Sequence, residues 1–195
     1  MFFIHSMIDN GEYDDAQEQL DILEELEENI ASTPTFLFVK ASFMRHRLSQ
    51  KPEATNLLFR AYKLQMESVE LMTFGVDYFS SLNPDFLLSL AEEYFHHSPE
   101  NSPHLLQELV AILSSVVEAC PGLLPALYRL ANVYFMVGDL RAASTTLHHV
   151  IDHVDPTFIE AYLLMARIGI QQNNPSLAAQ YLELGLSYNF QVYLY

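Results

Sequence analysis

The sequence predicts an all-α solenoid of stacked helix-turn-helix units, about five helix pairs with the first incomplete. Two observations carry this. Leu127-x-x-Leu130-Ala131-x-x-Tyr134, followed by Gly138-Asp139-Leu140-x-x-Ala143-x-x-x-Leu147, is answered 35 residues later by Tyr162-x-x-Met165-Ala166, then Asn173-Asn174 and Ala178-x-x-x-Leu182. A small residue at one fixed place in each helix, flanked by large apolar residues at helical spacing, lets two helices approach closely and stack on the next pair. Elsewhere the apolar spacing is also helical, Pro and Gly punctuate it, and no alternating strand pattern of useful length occurs.

In chain order, the first nine residues read as a helix missing its beginning, because Asn10-Gly11-Glu12-Tyr13-Asp14-Asp15-Ala16 repeats the turn and helix start found at Gly138 to Ala143. A helix then runs from about Pro34, a favoured first-turn residue, through Leu37, Ala41 and Met44. Its partner starts near Pro52-Glu53-Ala54 and turns Leu58 and Ala61 inward. Ser68 to Asn83 fits no repeat, and Gly75 with Ser80-Ser81 suggests an insertion holding one short helix. Pro84 restarts the pattern, since Leu87-x-x-Leu90-Ala91-x-x-Tyr94 matches Leu127 to Tyr134 at each named place. A polar loop, His97 to Pro103, leads to a strongly apolar helix through Leu106, Leu109, Ile112, Val116 and Val117, expected to be buried on most sides. The remaining helices are expected at about 123–137, 140–153, 157–171 and 175–187, with Asp155-Pro156 as a hinge. The division is therefore 1–67 repeat units with the first truncated, 68–83 insertion, 84–190 repeat units and 191–195 tail.

Half of the 195 residues are hydrophobic, which supports a sizeable core. Nine Lys plus Arg against 25 Asp plus Glu leave a formal charge of -16. Such a chain repels nucleic acid and anionic membrane surfaces, so the expected partner surface is basic or apolar protein. Ten carboxylates fall between Asp9 and Glu28 with no Lys or Arg before Lys40. The run Glu24-Glu25-Leu26-Glu27-Glu28 reads as a solvated helix face, a basic docking site being the sharper alternative. The single cysteine, Cys120, excludes an intrachain disulfide and suits a reducing compartment. With Glu118 beside it and no basic neighbour in sequence it reads as structural. The start Met1-Phe2-Phe3-Ile4-His5 has no basic region ahead of an apolar stretch, and Arg129 interrupts the most apolar helix, so neither a signal peptide nor direct membrane insertion is expected.

Gly138-Asp139-Leu140-x-x-Ala143, the small residues Ala131 and Ala166, and Asp155-Pro156 resemble the tetratricopeptide repeat (TPR), with Leu127 and Tyr162 where that repeat often has Trp. More specifically, Asn83-Pro84-Asp85-Phe86-Leu87-Leu88, Pro121-Gly122-Leu123-Leu124, Glu160-Ala161-Tyr162-Leu163-Leu164-Met165-Ala166 and Leu182 to Phe190 resemble the tetratricopeptide repeat protein 21 family, over most of the chain from Asn10 to Phe190. The resemblance implies a TPR-like scaffold within intraflagellar transport complex A, acting in retrograde ciliary transport and admission of proteins to the cilium. Implied partners are the other complex A subunits, and the implied location is cytoplasmic and ciliary, along the axoneme. Members continue with further repeats beyond the Tyr188-Asn189-Phe190 stretch, so the chain resembles a fragment or short isoform. Its apolar ends are expected to self-associate unless covered. The structural repeat positions are Gly11, Tyr13, Ala16, Ala41, Ala54, Ala91, Leu127, Leu130, Ala131, Tyr134, Gly138, Ala143, Pro156, Tyr162, Ala166 and Ala178.

No catalytic, cofactor or metal residues are assigned. His149-x-x-x-His153 puts two imidazoles on one helix face, a spacing compatible with zinc, but a site needs three or four ligands. His96-His97 reads as a helix end. Adjacent carboxylates such as Glu92-Glu93 and Asp14-Asp15 lack nucleophile and oxyanion partners, and no phosphate-cradling glycine pattern occurs. Three functions compete: the complex A scaffold; a stand-alone TPR adaptor for a short peptide or chaperone tail; and a metal enzyme using His149 and His153. A clamp for an acidic chain end has only Lys40, Arg45, Arg129 and Arg167, scattered along the first helices. Tyr94, Tyr134, Phe135, Met136, Met165 and Tyr181 belong either to a peptide groove or to the stacking core.

Overall fold

The computed structural model describes residues 2–26, 32–48, 51–97 and 102–192, and every ordered element among them is helical. Two compact units divide between Ser102 and Pro103. The first holds α1 (Phe2–Asn10), α2 (Tyr13–Leu26), α3 (Pro34–Phe43), α4 (Lys51–Glu67), α5 (Val76–Leu82) and α6 (Pro84–His97). In the second are α7 (Pro103–Ala119), α8 (Leu124–Val137), α9 (Leu140–His149), α10 (Ile159–Gln171) and α11 (Pro175–Val192). Two helices end in a widened π turn, α3 over Met44–Leu48 and α9 over Val150–Val154.

Three interhelical turns share one hydrogen-bonding scheme. Gly138 takes φ +88, its N–H bonds the Phe135 carbonyl, and the Asp139 N–H reaches back to the Tyr134 carbonyl. At the first turn Gly11 has φ +81, with Glu12 N–H donating to the Met7 carbonyl. Asn173 supplies the same left-handed residue at φ 56, and Asn174 N–H donates to the Gly169 carbonyl. A left-handed residue after the helix satisfies carbonyls that would otherwise be orphaned, and only Gly or Asn holds that conformation cheaply. The next side chain then starts the new helix: Asp139 Oδ1 accepts from Ala142 N–H at 2.9 Å and Asn174 Oδ1 from Leu177 N–H at 3.2 Å. Thr33 does the same for α3, accepting from Phe36 N–H, with Pro34 at the first helical position.

Within the first unit α1 packs on α2 and α3, α3 on α4, and α4 on α5 and α6. Phe36, Leu37, Val39, Leu58, Leu87, Leu90 and Tyr94 fill the space between them. Residues 68–83 are turns leading into α5, anchored where Gln65 Nε2 donates to the Ser81 and Leu82 carbonyls. That stretch exposes Leu71 at 98 %, Val76 at 85 % and Phe74 at 73 %. In the second unit α7 packs on α8, α8 on α9, α9 on α10 and α10 on α11. Its core joins Leu127, Leu147, Val150, Leu164, Met165 and Ile168 around Ala131, Ala143 and Ala161.

The last helix runs to Val192, past the expected end near 187, because residues 186–192 hold no Gly or Pro to interrupt it. The helix through Leu106 is amphipathic rather than buried on most sides: Leu106, Leu109, Ile112, Leu113 and Val116 are buried, and Gln107, Ala111 and Glu118 face solvent. The alternatives for the aromatic and Met set resolve toward the core. Tyr94 and Met165 are buried, and Tyr134, Phe135 and Tyr181 pack against the second unit's cluster.

Close backbone approach decides two predictions. Ala131 has no exposed surface, so Ala131→Leu forces side-chain volume into a filled contact and should cost roughly 1–3 kcal/mol. A Cβ on Gly169 would stand 3.1 Å from the Ala178 backbone nitrogen of α11. Gly169→Ala gains about 1 kcal/mol of helix propensity, yet displacing a packed backbone outweighs it. Both variants should unfold at lower denaturant concentration than the parent, with unchanged slope.

Candidate functional site

The first helices of successive pairs in the first unit, α1, α3 and α6, line a groove of about 900 Å³. Its floor is an aromatic ladder. The His5 ring stacks on Phe38 with centroids 5.5 Å apart and planes 10° apart, and Phe38 meets Phe86 edge-on at 5.7 Å. Helical phase explains the arrangement: these residues occupy the same face of three neighbouring helices, beside the inward-facing Ile4, Leu37 and Leu87. Asp9, Asp85, Glu92 and Glu93 bring carboxylates to the walls, Arg45 a guanidinium, and His96 a second imidazole.

Arg45 is committed to Glu93. Its Nε lies 2.5 Å from Oε1 and its Nη2 donates to Oε2 at 3.0 Å, a bidentate pair between the end of α3 and the middle of α6. The Glu93 side chain is only 8 % exposed, so this carboxylate depends on its partner. Arg45 is the second residue of the π turn at Met44–Leu48. Next to it, His46 is held below the ordinary imidazole value of 6.5, by burial first and the Arg45 guanidinium second, against opposing pulls from Glu93 and Asp9.

Two other cations of the first unit, Lys40 and Arg47, are similarly engaged. Lys40 Nζ donates to both oxygens of Glu24 at 2.7 Å, and Arg47 reaches Asp14 at 2.7 Å. In the second unit Arg167 lies over the Phe135 ring at 4.9 Å and Arg129 is half-buried. The clamp for an acidic chain end therefore lacks uncommitted cations at Lys40 and Arg45. Of the acidic run, Glu24 and Glu25 are exposed, while Glu27 and Glu28 lie outside the described residues, as do positions 98–101 of the loop before Pro103 and 193–195 of the tail.

His149 and His153 stack at 5.3 Å, and the His149 ring nitrogen Nε2 lies 3.2 Å from the Pro121 carbonyl oxygen. No group of three or more possible ligands clusters among the described residues. Cys120 is half-buried after α7. Among the described residues no helix is long and apolar enough to cross a membrane.

The repeat positions fall where helices meet or turn. Ala16, Ala41, Ala54, Ala91, Leu127, Leu130, Ala131, Ala143, Ala166 and Ala178 are buried, Gly11 and Gly138 occupy the left-handed turns, and Tyr13 and Tyr134 are half-buried. Tyr162 is 2 % exposed and donates its hydroxyl to the carbonyl of exposed Pro156 at 2.8 Å. Burial, then Tyr188, pushes that phenol up to about 12. Sequence reasoning missed Gly169, Gly185 and the Arg45–Glu93 pair. A Cβ on Gly185 would lie 3.1 Å from Tyr162 Cβ, so Gly185 is the small residue of its own helix contact.

Residues 1–173 match the family described as the tetratricopeptide repeat protein 21 second ARM domain. Tetratricopeptide repeat protein 21B of Homo sapiens is 33% identical over 197 residues, covering 97% of this chain and 15% of that protein. Tetratricopeptide repeat protein 21A of Mus musculus is 35% identical over 190 residues, covering 93% and 14%. The chain thus spans about one seventh of the length of the curated relatives it matches. Among solved structures, a chain titled "Crystal structure of MamA protein" superposes with TM-score 0.67 at 16% identity, covering 100% of this chain and 97% of that one. The MamA 41-end from Desulfovibrio magneticus RS-1 gives 0.61 at 15%, covering 97% and 92%. At that identity the likeness shows the fold alone.

Two outcomes test the site. A double-mutant cycle on Arg45→Leu and Glu93→Leu should return a coupling of about 1–3 kcal/mol, because either single change strands the other partner. For His46 the folded value is lowered, so below pH 6.5 the unfolded chain binds the extra proton. Stability should be full above 6.5 and decline as pH falls toward the lowered value. His46→Gln should shrink that decline in the unfolding midpoint, and the ring should titrate below 6.5 by NMR.

Proposed function

Since the chain belongs to the tetratricopeptide repeat protein 21 family, we propose that it acts as a non-enzymatic, protein-binding scaffold, a component of intraflagellar transport complex A working in retrograde ciliary transport and in admission of proteins to the cilium. The observation that carries the reading is the family match across residues 1–173. The fold supports it. Repeated helix pairs stacked through small residues offer long surfaces between elements rather than an enclosed reaction chamber. The side chains gathered in the groove suit recognition better than catalysis. Its carboxylates stand beside an arginine already paired and imidazoles of which one is stacked in a ladder, an arrangement that binds rather than activates a nucleophile.

On this reading the chain works in the cytoplasm and cilium, its partners being other complex A subunits reached through protein surfaces. A chaperone-tail adaptor is less well supported, because a C-terminal acidic peptide would meet carboxylates where it needs free cations.

Affinity capture of the tagged chain from ciliated cells, with protein identification, should enrich complex A subunits over a tagged unrelated helical repeat. Recovery of chaperones without any complex A subunit would replace the scaffold reading with the adaptor one.

A further inference from the structure

We infer that residues 62–79, the end of α4 and the turns that lead into α5, form a docking surface for a partner protein that seats one large apolar side chain in a hollow there and sets lysine or arginine beside it. The inference rests on reading the chain as a protein-binding scaffold and assigns that role to one surface. Among the described residues, every large apolar side chain that the first unit exposes lies between Leu71 and Phe79, apart from Phe3 and Ile22. Apolar surface gathered in this way marks a contact site. The segment is also held in place. Ser68 Oγ donates to the Gln65 carbonyl at 2.6 Å, the Val69 N–H to the Met66 carbonyl and the Met72 N–H to the Val69 carbonyl, while the Val69 side chain is buried. Phe74 stacks on Tyr78 with centroids 4.6 Å apart and meets Phe79 edge-on at 5.8 Å. Rings already fixed against one another lose little freedom when a partner covers them.

Tyr62, Met66, Val69, Met72, Phe74 and Tyr78 line a hollow of about 520 Å³, inside the roughly 300–1,000 Å³ range of ligand sites and roomy enough for a bulky side chain. Its two thioethers let the wall adapt to the occupant. Charge selects what accompanies that side chain. Glu67 and Glu70 also line the hollow, both are exposed, and neither carboxylate has an ion pair among the described residues. Lys63 lines it too, but its ammonium lies over the Phe59 ring at 4.7 Å, one turn back along α4 and away from Glu67. A basic residue beside the apolar anchor answers the two carboxylates, and an acidic one would oppose them. The same charges weigh against other occupants. A second copy joined patch to patch would set Glu67 and Glu70 against their own counterparts. An anionic bilayer would repel them as Leu71 and Phe74 entered it.

The test is fluorescence anisotropy on the whole 195-residue chain at physiological ionic strength. The probe is a labelled hexapeptide with phenylalanine and leucine at its centre and a pair of arginines on each side. One counterpart carries glutamates for the arginines, and the other carries glycines for the central pair. The probe should bind about tenfold or more tighter than either counterpart. Phe74→Ala should weaken it by about tenfold, and Glu67→Gln with Glu70→Gln by severalfold. Ile170→Ser, at an exposed apolar position of the second unit, should change it by less than about twofold. If circular dichroism shows that Phe74→Ala has lost helix, the glutamine pair at its exposed positions decides alone. Equal losses from Ile170→Ser, or equal binding of the glycine counterpart, would mean diffuse attraction to an acidic chain and would overturn the docking surface. So would no binding, or binding of the glutamate counterpart as tightly as the probe. Attachment to vesicles of phosphatidylserine and phosphatidylcholine that Phe74→Ala abolishes would overturn it in favour of a membrane surface, and a dimer in sedimentation that the same change dissociates would overturn it in favour of a second copy. Capture of complex A subunits is read separately. Capture by the parent chain with failed probe binding sinks this inference and leaves the scaffold standing, whereas probe binding without that capture keeps the docking surface and removes the complex A reading.

Discussion

The closeness of helix backbones is the constraint on which the rest of the structure depends. At Ala16, Ala41, Ala54 and Ala61 in one unit, and at Ala131, Ala143, Ala161 and Ala178 in the other, a residue with almost no side chain is almost wholly buried. Large neighbours such as Leu58, Leu127 and Leu147 then interlock around it. Widening any of these contacts by one or two methylenes would push apart helices that also carry ion pairs and ring contacts. The groove inherits its dimensions from that spacing, because its walls are neighbours in the same stack.

Much of the fold is legible in the residues, and the reason is local. Turn chemistry at Gly11, Gly138 and Asn173 is written within a few residues of each, and the alanine contacts repeat with the helix period. The features that escaped depend on distance along the chain or on an absent signal. Arg45 and Glu93 are 48 residues apart and neither stands in a recognisable pattern. The π turns after Phe43 and His149 leave no compositional mark, since the surrounding residues are ordinary helix formers. Gly169 and Gly185 look like interruptions in an apolar helix until the facing Ala178 and Tyr162 are seen. The groove was hidden for the same reason: His5, Phe38 and Phe86 become neighbours only after three helices stack. The candidate peptide groove read from Tyr94, Tyr134, Phe135, Met136, Met165 and Tyr181 drew on residues that largely fill the core.

Electrostatics then divides the surface into used and unused charge. With nine basic against 25 acidic residues, each cation has several carboxylates to choose from. Lys40, Arg45 and Arg47 each have one. Pairs of this kind at the rim contribute little to stability by themselves, whereas the shielded Arg45 pair fixes one helix against another. The remaining negative field is long-ranged, screened over about 8 Å at physiological ionic strength, and sets which encounters succeed before any close contact forms.

The widened turn at Met44–Leu48 has a consequence at the level of the gene. One extra residue in a helical turn rotates the segment beyond it by roughly 100° relative to a regular helix. Losing a single codon there would restore ordinary winding and rotate the residues that follow the turn relative to α3 while every retained residue kept its identity. Substitutions in this stretch are absorbed one side chain at a time, but an in-frame deletion would change the direction of the whole segment at once. The chain is therefore more vulnerable at this place to a lost codon than to an altered one.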